Sequence, residues 1–404
     1  MADQQDTSST GVLSGLTVVD CSRVLGGPFC SQWLGDHGAD VIKVEPPQGD
    51  ETRGWGPPFK DGAASYFRGV NRSKRGISLD LRQAEGQAAL RRLLADADIL
   101  LENFKPGTMD KWGMGHATLS KEFPRLIHAR ISGFGADGPL GGLPGYDAVV
   151  QAQAGLMSIN GEADGPPTRL GIPIVDIATG ISTAFGIMAA VYERSQSGKG
   201  QFVEASLYDV ACSLLHPYAA NYFLNGKVPA RQGSAHPNIV PYDMFDCGDG
   251  KVYIAAGNDG QFARLCKVLG KAELIDDARF KTNADRMAHR GELRTTLEAI
   301  LASHKAEPIC QELMENGVPA GPVNDVSAVV SHPQTIARDM RIEFDGYTGL
   351  GNPVKFSRTP AKIDRLPPKF GGDTRAVLAD LGYSEAEIEA MIAAGSAIAA
   401  DSKA

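Results

Sequence analysis

The hydrophobic pattern of the first half of the chain alternates between two periods. Short runs of apolar and β-branched residues, typical of buried strands, alternate with longer stretches that have a helical period. The predicted strands are residues 16–20, 39–45, 76–80, 98–102 and 124–131, and the predicted helices between them include 28–37 and 84–97. Repeated strand–helix units of this kind predict an α/β fold with a Rossmann-like parallel sheet and right-handed crossovers.

The pattern changes after about residue 226. A hairpin is predicted at residues 242–256, and amphipathic helices follow it. We therefore expect residues 1–226 and 326–404 to form one large domain, with a smaller α+β domain inserted at residues 227–325. The last helix is predicted to begin after Ser384, because Glu387 completes a capping box.

Composition and charge narrow the class of function. The 404 residues carry a net charge of −8, which disfavours a nucleic-acid-binding surface. The six cysteines form no CxxC pair and the histidines show no metal-binding spacing, so we expect neither disulfides nor a metal. Residues 1–10 lack the features of a secretory signal, and no apolar run is expected to span a membrane, so we expect a cytoplasmic protein.

The first turn of the predicted sheet disfavours dehydrogenase chemistry. The turn between the first strand and the first helix contains Gly26, Gly27 and Pro28 in place of the GxGxxG motif. Pro28 also removes a backbone N–H that could hold a pyrophosphate group. We therefore expect a Rossmann-like sheet without a nicotinamide cofactor.

Asp176 is the carboxylate best placed for chemistry. It ends the stretch GIPIVD at residues 171–176, ahead of an apolar stretch at 181–194 that predicts a helix. A helix N-terminus stabilises an anion and offers backbone N–H groups to a developing oxyanion. The alternative role is structural, because aspartate is among the most favourable N-cap residues.

Two basic clusters are expected on loops near the carboxyl ends of the strands, where open α/β sheets bind ligands. Arg72, Lys74 and Arg75 precede one predicted strand, and Lys105 and Lys111 follow another. In a chain of negative net charge, these side chains are candidates for holding phosphate groups. The alternative is an ordinary solvated surface.

Six stretches of the chain carry a family resemblance. They are LTVVDCSRVLGGP at 16–28, GADVIKVEP at 38–46, NFKPG at 103–107, GYD at 145–147, GIPIVD at 171–176 and GKGQ at 198–201. In their order and spacing they resemble the class III coenzyme A transferases over nearly the whole chain. The resemblance implies an interlocked homodimer with Asp176 as nucleophile, acyl-CoA and a carboxylic acid as substrates, and no permanently bound cofactor.

The resemblance also assigns a set of residues to coenzyme A binding. These are Arg23, Val24, Leu25, Gly26, Arg72, Lys74, Arg75, Asn103, Lys105, Lys111, Tyr146 and Asp147. In this family the aspartate forms mixed anhydrides with the acids and carries coenzyme A as an aspartyl thioester. Residues 233–237 are the candidate for a lid that keeps water away from these intermediates.

Two alternatives stay open. The α-methylacyl-CoA racemases resemble the same family and keep an aspartate at position 176, but they need a histidine in a Gly-His-Asp motif as a second acid or base. This chain has Tyr146 at that place, which favours the transferase. A non-catalytic acyl-CoA-binding protein would keep the basic residues without needing Asp176.

The resemblance also bears on the acids that exchange coenzyme A. Enzymes of the formyl and oxalate type place a glutamine where this chain has Leu25, which argues against oxalate. Residues 50–59 and 233–242 are similar to the branch that uses succinyl-CoA with dicarboxylates such as glutarate or hydroxymethylglutarate. The candidate substrate residues are Arg53, Trp55, Arg169 and His236.

Overall fold

The computed structural model describes residues 11–400, which form two compact units. The first unit contains the chain up to Leu156, the segment Leu170–His216 and the chain from Gln334 onward. The second unit contains Met157–Arg169 and Pro217–Pro333. Compared with the inserted domain predicted at residues 227–325, the second unit therefore begins earlier, ends later and includes a separate short segment.

The strands are numbered in chain order. They are β1 (Thr17–Asp20), β2 (Asp40–Glu45), β3 (Phe59–Lys60), β4 (Ala63–Ala64), β5 (Lys74–Leu79), β6 (Ile99–Glu102), β7 (Ile127–Ser132), β8 (Phe202–Ser206), β9 (Tyr242–Cys247), β10 (Gly250–Ala255), β11 (Ala320–Pro322), β12 (Arg341–Phe344), β13 (Tyr347–Leu350) and β14 (Ala397–Ile398).

The helices follow the same order, and short 3₁₀ turns lie at Glu51–Gly54 and Ala272–Ile275. They are α1 (Gly26–Asp36), α2 (Ser65–Arg68), α3 (Ala84–Ala95), α4 (Thr108–Lys111), α5 (His116–Glu122), α6 (Asp147–Gln153), α7 (Leu156–Ile159), α8 (Ile174–Ser197), α9 (Leu207–Ser213), α10 (Tyr218–Asn225), α11 (Asp259–Val268), α12 (Asn283–Ala288), α13 (Arg290–Leu301), α14 (Ala306–Glu315), α15 (Val326–Ser331), α16 (Pro333–Ala337), α17 (Thr374–Asp380) and α18 (Glu385–Ala393).

A seven-stranded sheet in the order β14-β5-β2-β1-β6-β7-β8 forms the centre of the first unit. Its strands pair in parallel except for the antiparallel edge strand β14. The large parallel sheet confirms the predicted α/β class. The strand order reverses between β1 and β6, so their carboxyl ends open a crevice, the usual ligand site of such sheets.

Both faces of the sheet are covered, as continuous apolar strands require. In β1, Val18 faces a core that also contains apolar residues of α1, α8 and α9, whereas Val19 faces a core that contains residues of α3, α17 and α18. The period-2 alternation of a strand thus sends neighbouring side chains to opposite cores. The predicted capping box at the start of α18 is confirmed, because Ser384 and Glu387 cap each other's backbone.

The helix α8 is longer than the sequence predicted. It has 24 residues and begins at Ile174. By length and composition it could cross a membrane, which corrects the expectation that no apolar run reaches such a length. Its buried residues, among them Val175 and Ile187, join the core beneath β7 and β8. The buried apolar residues of α8 are therefore part of the core of the first unit.

The second unit has its own core. Its antiparallel sheet has the order β11-β10-β9, and the predicted hairpin is confirmed by the pairing of β9 with β10. The helices α11, α13 and α14 supply the fully buried residues Leu265, Leu297 and Leu313 that pack with this sheet. The buried residues of each of these helices recur with a helical period, so they lie on one face of the helix.

Candidate active site

A cleft at the reversal point of the sheet collects many of the predicted site residues. The loop after β1 and the loop after β6 meet there, because these two strands are neighbours although about 80 residues separate them in sequence. The predicted residues that line the cleft are Arg23, Val24, Leu25, Gly26, Asn103, Tyr146 and Asp176. Lys105 lies in the adjoining part of the same groove, beside Asn103 and Tyr146.

Asp176 is the third residue of α8 and does not cap it. The N-cap position is Pro173, so the alternative hypothesis of an N-cap aspartate is wrong. The carboxylate of Asp147, the first residue of α6, takes that role instead. Its Oδ2 atom accepts hydrogen bonds from the N–H groups of Val175 at 2.8 Å and Asp176 at 3.2 Å. The Asp176 carboxylate is therefore not needed to start the helix.

The position of Asp176 changes its acidity. Burial, together with the charge of Asp147, raises the pKa of Asp176 to about 7. The ionised carboxylate is thus costly in this half-buried cleft, and its basicity is higher than that of an exposed aspartate. A perturbed carboxyl group in a cleft is a feature typical of catalytic sites.

Two glycines allow the helices α1 and α8 to meet at this point. A Cβ atom on Gly26 would lie 3.3 Å from the carbonyl oxygen of Asp176 and 3.7 Å from its Oδ1 atom. A Cβ atom on Gly180 would lie 2.6 Å from the carbonyl oxygen of Gly26, closer than real Cβ contacts. The backbone of the loop that opens α1 consequently lies directly beside the Asp176 side chain.

Tyr66 interacts electrostatically with the aspartates of the cleft, and sequence reasoning missed it. Burial and the nearby carboxylates of Asp176, Asp147 and Asp50 raise the pKa of Tyr66 to about 12. Its phenol therefore stays neutral and can donate a hydrogen bond near Asp176. The ring of Trp55, a predicted substrate residue, packs edge-on against it with ring centroids 5.2 Å apart. Tyr66 lies in a short helix without a motif, so no sequence signal marked it.

Asn103 uses its side chain to hold a loop. Its Oδ1 atom accepts from the Arg23 N–H at 2.9 Å, and its Nδ2 atom donates to the Arg23 carbonyl at 2.8 Å. The Arg23 side chain forms a partly exposed ion pair with Glu51 at 2.8 Å. Both backbone polar groups of Arg23 are thus tied to the residue that follows β6, which fixes one wall of the cleft.

The basic cluster at residues 72–75 is not where the sequence placed it. Lys74 and Arg75 begin β5, and Arg75 pairs with Asp40, the first residue of β2, so this cluster lies at the amino ends of the strands. Arg72 is buried in a bidentate pair with Asp36, at 3.0 and 2.8 Å. The predicted placement near the carboxyl ends is corrected, because residues that precede or begin a strand of a parallel sheet lie at its amino edge.

Lys74 is also occupied. It is buried and donates from Nζ to Asp20 at 3.2 Å, to the Pro28 carbonyl at 2.9 Å and to Asn71 at 2.8 Å. A lysine with three acceptors and no exposure has no free donor for a phosphate group. The predicted Lys111, by contrast, is exposed at the end of α4.

A second cleft lies at the carboxyl ends of β1, β2, β5 and β6. Its walls include Leu79, Leu81, Phe104 and Trp112, and it also contains the basic residue Arg82. Arg82 is exposed and pairs with Asp80 at 2.8 Å. Arg23 lines this cleft as well as the cleft of Asp176, so the two clefts are continuous around one side chain. Sequence reasoning missed Arg82 because it placed the phosphate-binding residues before this strand.

The predicted substrate residues are divided between the two units. Arg53 belongs to the first unit, but its guanidinium forms a bidentate ion pair with Glu45, with both bonds at 2.7 Å. Arg169 is exposed and belongs to the second unit. His236, also in the second unit, stacks on Tyr242 with ring centroids 5.0 Å apart. Burial and the charge of Arg290 lower the pKa of His236.

Tyr146 stands where a racemase of this fold needs a histidine. It is the N-cap residue of α6, and its side chain is 57% exposed. A phenol is a poor proton acceptor at neutral pH, so the second base of a racemase is lacking at this position. Within residues 11–400, no group of three His, Cys, Asp or Glu side chains is placed to hold a metal ion.

Comparisons with known proteins agree on one family. Residues 13–374 match the family model of CoA-transferase family III. The succinate–glutarate CoA-transferase of Agrobacterium fabrum is 41% identical over 91% of this chain and 95% of that protein. The acetyl-CoA:oxalate CoA-transferase of Acetobacter aceti is 41% identical over 88% of this chain and 92% of that protein. The solved structure of a CAIB/BAIF family protein from Brucella suis has a TM-score of 0.84 and 44% identity, covering 92% of this chain and 100% of that chain.

Proposed function

This chain belongs to CoA-transferase family III, and we propose that it moves coenzyme A from succinyl-CoA to a second dicarboxylic acid, with Asp176 as nucleophile. The observation that carries the proposal is the Asp176 carboxylate. It lines the cleft at the reversal point of the sheet, it has a raised pKa, and it is not used as a helix cap. These are the properties of a reactive carboxylate.

The reaction proceeds by covalent catalysis. The Asp176 carboxylate attacks the thioester carbonyl, the C–S bond breaks, and the coenzyme A thiolate leaves as a mixed anhydride forms. The thiolate attacks the aspartyl carbonyl of this anhydride, which releases the donor acid and gives an aspartyl–CoA thioester. The carboxylate of the acceptor acid then repeats these steps in reverse order and leaves as its own CoA thioester, with Asp176 regenerated.

Neighbouring groups support these steps in two ways. The neutral hydroxyl of Tyr66 is a donor for the oxyanion that develops on the attacked carbonyl. The charge of Asp147 disfavours a negative charge on Asp176. The conversion of the Asp176 carboxylate into a neutral acyl group is therefore favoured. Both effects act on the reacting carboxyl group itself.

We place the pantetheine arm along the cleft formed by the loop at residues 23–26, Asn103, Lys105 and Tyr146. The nucleotide end then reaches the second cleft, where Phe104 and Trp112 offer aromatic surface and Arg82 offers positive charge for a phosphate. Arg23, which lines both clefts, supports this path. Arg72, Lys74 and Arg75 are left out of the proposed site because they lie at the amino ends of the strands, at the opposite edge of the sheet from these clefts.

The relatives support a dicarboxylate as acceptor. The Agrobacterium relative is named for succinate and glutarate and the Acetobacter relative for oxalate, and all three acids carry two carboxylates. Because one relative is named for oxalate, oxalate is the second candidate acceptor, although Leu25 is not the glutamine of the oxalate-type enzymes. Among the substrate residues, Trp55 is favoured by its contact with Tyr66, and Arg53 is disfavoured by its pairing with Glu45. Arg169, His236 and a lid at residues 233–237 remain predictions.

Mass spectrometry of the peptide that carries residue 176 tests the proposal. After the protein is mixed with succinyl-CoA and quenched, we expect this peptide to gain the mass of coenzyme A less water. Asp176→Asn, which keeps the size of the side chain, is the control and is expected to show no gain and no transfer. A panel of acceptors from oxalate to glutarate then identifies the acid. Reaction with monocarboxylates alone would exclude the dicarboxylate assignment.

The racemase alternative predicts a different outcome of the same experiment. A racemase would give no covalent adduct and would exchange the α-proton of a branched acyl-CoA for deuterium. An acyl-CoA-binding protein without catalysis would give neither result. Either outcome contradicts the role proposed for Asp176.

A further inference from the structure

Val24 has a backbone conformation that branched residues rarely adopt. Its φ is +69°, in the left-handed region, where a β-branched side chain is strained. The residue lines the cleft of Asp176, between Arg23 and Leu25. Strain of this kind persists only where the surrounding structure holds the residue in place, and it is common at functional sites.

Side chains from remote segments hold the peptide groups on the amino side of Val24. Asn103 bonds both the N–H and the carbonyl of Arg23, at 2.9 and 2.8 Å. The Val24 N–H is directed at the Oδ1 atom of Asp50, at 3.5 Å, the longest of these contacts. The strained residue is therefore approached from two loops that are distant in sequence.

Asp50 is itself firmly fixed. Its Oδ2 atom accepts from Lys43 at 3.0 Å, and both side chains are fully buried. Its Oδ1 atom accepts from the N–H and the hydroxyl of Thr52 at 3.0 and 2.7 Å. Lys43 also donates to the carbonyl oxygen of Ser22 at 2.9 Å. Desolvation cancels much of the attraction in a buried ion pair. The Lys43–Asp50 pair is therefore weak evidence that Asp50 serves to stabilise the fold.

We propose that Asp50, oriented by Lys43, is a positioning residue that keeps Val24 in its left-handed conformation. The inference rests on the proposed role of Asp176. Gly26, two residues after Val24, has its backbone directly beside the Asp176 carboxylate. If Val24 leaves its left-handed conformation, the backbone at Gly26 changes position relative to Asp176. A displacement of about 1 Å at a reacting centre costs about 100-fold in rate.

A double-mutant cycle between positions 24 and 50 tests the inference. The readout is the single-turnover rate of adduct formation on Asp176 at saturating succinyl-CoA. With Val24 in place, Asp50→Ala, which removes the acceptor of the Val24 N–H, is expected to slow this step by about 30-fold or more. In the Val24→Gly background, glycine adopts a positive φ without strain, so Asp50→Ala is expected to slow the step by no more than about threefold.

A merely structural role of Asp50 predicts no such coupling. If Asp50→Ala slows the step equally in both backgrounds, or in neither, the inference is overturned. Because alanine leaves Lys43 without its buried partner, the pair variant Lys43→Met/Asp50→Leu repeats the cycle without an unpaired charge. Asp325→Asn, which removes a helix-capping charge in the second unit, is the control and is expected to show no coupling to position 24.

Adduct formation by the unmodified protein distinguishes a failure of this inference from a failure of the proposed function. If it forms no adduct on Asp176, the proposed function fails and the positioning role fails with it. If it forms the adduct but the cycle shows no coupling, only the positioning role is overturned.

Discussion

At the residue scale, the proposed chemistry depends on two carboxylates that meet at the start of α8. Asp147 directs its charge at the N–H groups of Val175 and Asp176, where an anion is favoured by the helix dipole. The same charge opposes the ionisation of Asp176, which burial already disfavours. The two carboxylates therefore have different roles: Asp147 holds the start of α8, and Asp176 is the group whose acidity is changed.

This division predicts the pH dependence of the reaction. Only ionised Asp176 is a nucleophile, so kcat/KM is expected to fall as the pH decreases through the Asp176 pKa of about 7. Asp147→Asn keeps an acceptor for the N–H groups and removes the charge, so the midpoint is expected to move to lower pH. The measurement is kcat/KM for succinyl-CoA across the neutral pH range, with Asp325→Asn as control. An unchanged midpoint in Asp147→Asn contradicts the assigned cause.

The sequence could single out Asp176 as the candidate nucleophile, but it could not identify the partners of the charged side chains. Asp176 was recognisable because a family motif places it before an apolar helix. The pairing of Arg53 with Glu45 depends on how a 3₁₀ turn folds over the end of β2, which no spacing rule describes. For the same reason Tyr66 was missed, since its electrostatic interaction with Asp176 arises only from tertiary structure.

At the element scale, the site depends on the contact between α1 and α8. The two helices approach each other through Gly26 and Gly180, and the first turns of both therefore border the cleft. The strands β1 and β2 were predicted nearly to their ends, because both contain short β-branched runs that are buried in the sheet. The start of α8 was missed because its cap is Asp147, which lies 29 residues before Asp176 in sequence.

Gly180→Ala tests this contact. Alanine favours a helix, but its Cβ atom would lie 2.6 Å from the Gly26 carbonyl oxygen, so α8 must move. We expect a loss of about 1–3 kcal/mol in the free energy of unfolding, as for other overpacked sites. We also expect slower adduct formation. Gly186→Ala, in the same helix, meets only a Val203 methyl group at 3.0 Å and is the matched control. Equal stability of the two variants would contradict the importance of the contact.

At the scale of the whole molecule, the first unit leaves an apolar surface on its longest helix. The side chains of Phe185 and Tyr192 on α8 are 77% and 70% exposed. A contiguous exposed apolar surface is a feature of protein–protein interaction sites. The family resemblance implies an interlocked homodimer, and we propose that a second copy of the chain covers this face of α8.

Analytical ultracentrifugation tests the proposed dimer. We expect a mass of twice the 42.8 kDa of one chain, because burial of the exposed aromatic rings favours association. Phe185→Asp/Tyr192→Asp is expected to shift the mass towards one chain, since each change places a charge in the interface. Glu85→Ala, at an exposed position of α3, is the control. A single-chain mass for the unmodified protein would refute the dimer.

The cap that Asp147 provides for α8 has an evolutionary consequence. Two requirements meet at position 147, since α8 uses its carboxylate as an acceptor and the pKa of Asp176 responds to its charge. Asparagine meets the first requirement and removes the second effect. A lineage can therefore retune its working pH by one substitution while the reactive aspartate and the helix that presents it stay unchanged.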